Sequence, residues 1–229
     1  MRTIAVIARK GGAGKTTVAT QLALAAHLRG YVTLLADIDP QRSSTQVMAA
    51  RAGAGPDCAD TSGSRLAALQ MSALGAGVEA MVIDTAAGAE QEVASAIVLA
   101  DLSLLVLRPT FLDLAAAIQT VDVVRRLRKP AMIVLNQAPP ARGGVESPAV
   151  KRALKALAIL RLPVAPTILR ARAVYQTALE SGRSAEETDD RVAAREIAAL
   201  WGFVERFAFP KRAAAPPREE VLTPARHAS

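Results

Sequence analysis

Short apolar runs with almost no polar alternation recur along the chain, and each is followed by a stretch of helical periodicity. The runs Thr3–Ala8, Val32–Ala36, Ala80–Ile83, Leu102–Leu107 and Ala131–Leu135 are too short for helices and predict strands buried on both faces. Between them, Thr16–Arg29, Ser43–Ala52, Arg65–Leu74, Glu90–Ala100 and Leu112–Leu127 carry helical spacing, the first stopping at Gly30. Gly53–Gly63 reads as a loop. Ser147-Pro148 opens a further helix, with Ser as N-cap and Pro in the first turn. Pro163–Pro166 leads into an extended segment ending near Arg170, and Ala173–Glu180 and Asp190–Phe207 are the last helices. Regular strand–helix alternation predicts an α/β architecture: a doubly wound, mostly parallel sheet flanked by helices. One domain is expected over residues 1–207. Residues 208–229, rich in Pro, Ala and charge without periodicity, are expected to be a disordered tail.

Composition narrows the classes. At 229 residues and 51% hydrophobic the chain can bury a real core, but only 3% is aromatic, which weakens any reading based on stacking single-stranded nucleic acid. The single cysteine, Cys58, supports neither an intrachain disulfide framework nor a cysteine-built zinc or iron–sulfur site. The chain runs directly into its first strand, with no stretch that reads as a signal peptide and no apolar run long enough to span a bilayer, so a cytoplasmic protein is expected. The net charge of +7 is uneven. Eleven Lys or Arg lie between Arg125 and Arg172 against one acid, Glu146, leaving the rest of the chain slightly acidic. Such a zone suits a polyanionic partner; a solvated helix face is the alternative.

The chemistry concentrates where the first strand meets the first helix. Lys10-Gly11-Gly12-Ala13-Gly14-Lys15-Thr16-Thr17 can fold its backbone round a phosphate, with N–H groups pointing inward and a helix N-terminus behind them. Lys15 can reach the β- and γ-phosphates, and the Thr16 hydroxyl can ligate Mg²⁺. Ordinary P-loop spacing wants a glycine where this chain has Arg9; a lysine directly before two glycines stands instead. Asp37, Asp39 and Asp84 end two strands on the same sheet edge, where doubly wound sheets bind ligands. Asp84 is placed to orient a Mg²⁺ shell, and Asp39 can lie beside it. Helix capping is the competing role, most strongly for Asp37.

Taken together, the Lys10–Thr17 loop, Asp37-Ile38-Asp39-Pro40-Gln41 and Ile83-Asp84-Thr85 resemble the motifs of the ParA/MinD family of deviant-Walker ATPases across roughly residues 1–207. The resemblance implies ATP and ADP as ligands, Mg²⁺ as cofactor, and an ATP-dependent homodimer. In it Lys10 would reach across to the partner's phosphates, Asp39 would position the attacking water, and Asn136 would lie against the adenine ring. Asp84-Thr85-Ala86-Ala87-Gly88 lacks the prolines that many relatives carry there.

Within the family, a proline-containing tail does not form the basic amphipathic helix of membrane-cycling members, so no membrane partner is expected. A lone cysteine does not serve the metal-carrier branches. The basic zone suits the small partition ATPases that lack a helix-turn-helix domain. For these, the resemblance implies non-specific double-stranded DNA and a ParB-like, centromere-binding or cargo adaptor protein that stimulates hydrolysis. Arg170 and Arg172 fall where relatives carry DNA-contacting arginines, and Lys151, Arg152 and Lys155 form a nearby helix face opposite Val150, Leu154 and Leu157. A regulatory switch acting on a protein partner, with little DNA affinity, is the other class the sequence leaves open.

Overall fold

The computed structural model describes residues 1–88 and 90–209. Six strands, β1 (Arg2–Ile7), β2 (Thr33–Asp37), β3 (Asp57–Asp60), β4 (Ala80–Asp84), β5 (Leu102–Leu107) and β6 (Ala131–Leu135), form one sheet in the order β3-β2-β4-β1-β5-β6. Every pairing among them is parallel. Alternate residues of a strand face opposite sides, and here both sides are covered. Ile4 and Val6 face one apolar cluster, whereas Ala5 and Ile7 face another.

The first cluster takes in α1 (Lys15–Leu28), α7 (Ala173–Glu180) and α8 (Arg191–Ala208). The second is covered by α3 (Leu66–Gly75), α4 (Glu90–Leu99), α5 (Phe111–Arg126) and α6 (Pro148–Ala158). The short α2 (Ser43–Ala49) follows β2. Three of the few aromatics gather where α8 docks: Tyr31 lies edge-on to the fully buried Trp201 at 5.5 Å, and Phe209 packs on Tyr31 at 4.9 Å. The Tyr31 hydroxyl donates to Glu205 at 2.6 Å, so the polar tip of the cluster is satisfied.

The structure departs from expectation at three places. The Gly53–Gly63 segment contains an edge strand, β3, paired in register with Leu34–Asp37. Asp57-Cys58-Ala59-Asp60 has no apolar run because only one neighbour pairs with it and both its ends are exposed. The helix expected over Ser43–Ala52 ends at Ala49. At the other end of the chain, α8 reaches Ala208 and Phe209 is buried, two residues past the expected domain boundary. The rest of the expected tail, 210–229, lies outside the described residues.

Crossing from β1 to β2 skips β4, whereas β5 and β6 lie on the other side of β1. The strand order therefore reverses beside β1, and the crevice at the carboxyl ends of β1, β4 and β5 is where such a sheet accepts a ligand.

Candidate nucleotide site

The loop from Lys10 to Gly14 leaves β1 at that crevice and delivers the chain into α1. Gly14 caps the helix with φ +88°, a left-handed conformation that favours glycine, and a Cβ there would collide with the Asn136 side-chain amide. The loop is braced by two side chains from the end of β6. Asn136 Nδ2 donates to the Ala13 carbonyl at 2.9 Å, and Gln137 Nε2 donates to the Gly12 carbonyl at 3.0 Å. With those carbonyls held outward, the N–H groups of the loop are free to converge on an anion.

Beside the loop opens a hollow of about 450 Å³, lined by Gly11, Gly12, Lys15, Thr16, Asp39 and Ala86 among others. Lys15 is 6% exposed. Burial holds its ammonium below the usual lysine range, while Asp84 and Asp39 pull it back up. Asp84 is fully buried, and neither carboxylate oxygen has a hydrogen-bond partner among the described residues. Burial pushes its pKa up to about 7, with Thr16 and Ser44 close enough to pull it partly down. A buried carboxylate whose oxygens accept no hydrogen bond is poorly placed as a packing residue, because only the Lys15 ammonium offsets its charge. It fits a divalent cation that keeps most of its shell in phosphate and water, as Mg²⁺ does.

The three strand-end acids divide their roles. Asp37 caps: Oδ1 accepts from the Asp39 N–H at 3.1 Å, and Oδ2 accepts from the Thr45 N–H and hydroxyl at 3.0 and 2.8 Å. Asp39 lines the hollow, and its Oδ1 accepts from the Gln41 N–H at 2.9 Å. Lys10 stands half-buried with no hydrogen bond or ion pair among the described residues.

A second hollow of about 360 Å³ begins at Thr17 and is walled by Asn136, Gln137, Ala171, Tyr175 and Gln176, with Arg170 and Arg172. Both arginines are engaged. Arg170 forks onto Glu146 and also donates to the Pro139 carbonyl at 2.9 Å. Arg172 donates to Glu196 of α8 at 3.0 and 3.1 Å, and Glu196 also accepts from the Arg170 N–H and the Tyr175 hydroxyl. These two arginines hold a wall of the hollow together. Lys151, Arg152 and Lys155 are exposed on α6, and none makes an ion pair among the described residues.

Gln137, Ser44, Glu196 and the Arg108–Asp113 pair were not singled out from sequence, and Glu146 stood out only as the one acid of the basic zone. Arg108 donates to the buried Asp113 at 3.1 and 3.3 Å, and its Nη1 is 3.6 Å from where a Cβ on Gly12 would stand. Gln137 had a signal in its position directly after a strand-end Asn. The two glutamates had none for their ion pairs, since their partners are 24 residues away in sequence.

A glycine-rich loop feeding a helix, a buried lysine, a buried strand-end carboxylate without hydrogen-bond partners and a parallel sheet define a phosphate-binding nucleotide domain. Residues 4–183 match the CbiA family, the CobQ/CobB/MinD/ParA nucleotide binding domain, and the chain belongs to that family. It is 30% identical over 203 residues to maintenance of carboxysome distribution protein A of Halothiobacillus neapolitanus, a match covering 80% of this chain and 85% of that protein. Its fold is similar to the cell division ATPase MinD of Pyrococcus furiosus, with TM-score 0.74 and 19% identity over 90% of this chain and 99% of that one. It is also similar to the ATP complex of a single-residue variant of McdA from Cyanothece, with TM-score 0.69 and 18% identity over 90% and 96%. No helix among the described residues is long and apolar enough to cross a membrane.

Proposed function

We propose that the protein is an ATP-hydrolysing switch that dimerises around bound nucleotide and positions a cargo, either DNA or a protein assembly. It does so by gripping non-specific double-stranded DNA in the ATP state and releasing it after hydrolysis. Lys10 carries the reading. Arg9 before it and Arg108 beside Gly12 are matched by Glu90 and Asp113, whereas Lys10, directly before the glycines that line the phosphate hollow, has no partner among the described residues. An ammonium unused in its own chain suits a role on a second copy's phosphates, where transition-state charge develops.

In this reading the triphosphate lies in the loop, its β- and γ-phosphates against the loop N–H groups and Lys15. Thr16 and Asp84 would hold Mg²⁺, which neutralises phosphate charge when bound. Asp39, whose second oxygen makes no hydrogen bond among the described residues, orients the attacking water. The base occupies the second hollow. Asn136 spends its Nδ2 on Ala13, which leaves Oδ1 to accept from a 6-amino group and favours adenine over guanine. A ParB-like or cargo adaptor protein would stimulate hydrolysis, and the ATP-bound dimer would associate with the nucleoid. The carboxysome-distribution relative favours a protein assembly as cargo.

The switch without DNA binding has one observation in its favour: Arg170 and Arg172 are tied into ion pairs. Salt-titrated retention on random-sequence duplex, with ATP and with ADP, separates the two readings. ATP-dependent binding near physiological salt is expected; its absence leaves the protein-switch reading.

A further inference from the structure

Among the described residues, four other than glycine adopt left-handed backbone: Arg42, Arg128, Gln137 and Arg161. Two use their side chains visibly. Arg42 donates to the Asp37 and Thr61 carbonyls and pairs with Asp60, and Gln137 braces the phosphate loop. Arg128 and Arg161 are exposed, and their side chains make no hydrogen bond or ion pair among the described residues. Helices α1, α3 and α7 turn out through Gly30, Gly77 and Gly182, all at positive φ. Glycine costs least at such a position. Helix α5 makes the same turn through Arg128, and the chain leaving α6 makes it through Arg161, with φ 51° and 48°. The Lys129 N–H closes back on Val124 as the Tyr31 N–H does on Ala26, so the turns after α1 and α5 are alike and only the residue differs.

The topology puts both arginines at one place. Helix α5 starts at the carboxyl edge of the sheet and ends at the amino edge, where β6 begins; α6 leaves the carboxyl end of β6 and returns to that same amino edge. Arg125 Nη2 donates to the Leu160 carbonyl and ties the two turns together. Arg125, Arg126, Arg128 and Arg161 are all exposed, and none pairs with an acid among the described residues. Lys155 and Arg152 continue the basic surface along α6.

We propose that Arg128 and Arg161, with Arg125 and Arg126, form a phosphate-contacting surface for duplex DNA at the sheet edge opposite the nucleotide loop. Duplex DNA suits it because cations grouped along two elements match closely spaced phosphates and need no pocket. Being remote from the nucleotide crevice, this surface is carried by each protomer whichever nucleotide is bound, and an ATP-joined dimer presents two copies of it to one duplex. The proposal rests on the DNA-binding reading above and names residues for it other than Arg170 and Arg172.

The test is the double variant Arg128→Gly, Arg161→Gly, which puts the least strained residue at both turns. Thermal midpoint should be unchanged or raised, since glycine relieves the backbone. DNA affinity with ATP near physiological salt should fall by at least roughly tenfold, and the slope of log affinity against log salt should drop by about 2 per protomer, with the ADP state read at lower salt. Arg191→Gln with Arg195→Gln on α8 removes the same charge from another face and should bind like wild type. Wild-type affinity and slope in the glycine variant would overturn the proposal, as would an equal loss in the α8 control. A lowered midpoint with unchanged DNA binding would also overturn it, since the arginines would then serve only the helix ends. If wild type itself retains no duplex with either nucleotide, the DNA-binding reading fails instead.

Discussion

Around the phosphate loop, single side chains have separable jobs because each lacks a different complement. Lys15 is a buried cation facing Asp84, so removing it strips the site of counter-charge for phosphate. Lys15→Gln should abolish measurable ATP binding by calorimetry while leaving the fold intact, and wild-type affinity would remove the assignment. Asp39 touches the hollow without supporting the loop. Asp39→Ala should bind ATP normally but turn it over at least tenfold more slowly, measured as phosphate release, because only water positioning is lost. Cys58 shows the opposite case. Burial raises its thiol to about 11, so it stays protonated at neutral pH and is a packing residue of β3. The loop residues could be singled out in sequence because phosphate chemistry demands fixed spacing within one short segment, and Asp39 and Asp84 because each follows or ends an apolar strand. The ion-pair partners were not, because Glu146 and Glu196 meet their arginines only through folding.

Elements show the same division. Five strands were legible because burial makes them continuously apolar, the terminal β6 included, whereas β3, at the other end of the sheet, was missed because it is exposed at both its ends and only half-buried between. The extended segment before α7 was recognised, but its role was not. It pairs alongside β6 at Ile133 and Val164 and beyond that strand at Ala138 and Arg170, and Glu196 then clamps it to α8. This clamp changes what mutation of the arginines should do. Arg170→Glu with Arg172→Glu would face two carboxylates across the wall of the base-side hollow, so nucleotide affinity and stability should both drop. Glu196→Ala should act in the same direction, costing on the order of 2 kcal/mol for a largely buried charge-assisted contact. It should also weaken ATP, with a smaller effect for Glu196→Gln, which keeps an acceptor. Denaturant unfolding and nucleotide titration on the three variants check this. Nucleotide affinity unchanged in all three would mean the wall does not touch the base.

For the whole molecule, the decisive question is whether nucleotide joins two copies. The crevice opens at one end of the sheet, with Lys10 and the exposed Phe111 and Leu112 near it, whereas the basic edge lies at the other end. A dimer closed over the crevice would leave both basic edges and both α6 faces outward. Weak phosphate contacts on each copy would then add on one duplex through effective concentration. ATP-dependent DNA binding would arise from pairing two surfaces that each protomer already carries. Lys10→Ala isolates this step, because Lys15 and the loop backbone remain to hold nucleotide. The variant should bind ATP within about threefold of wild type yet stay monomeric with ATP and Mg²⁺, as read by sedimentation; a loss of ~1.4 kcal/mol in the dimer already lowers its association constant tenfold. Its DNA binding with ATP should fall to the level wild type shows with ADP and go no lower, since the arginine edge is untouched. A Lys10→Ala protein that dimerises normally would place the lysine outside the interface, and the coupling between nucleotide and DNA would then have to arise within one protomer.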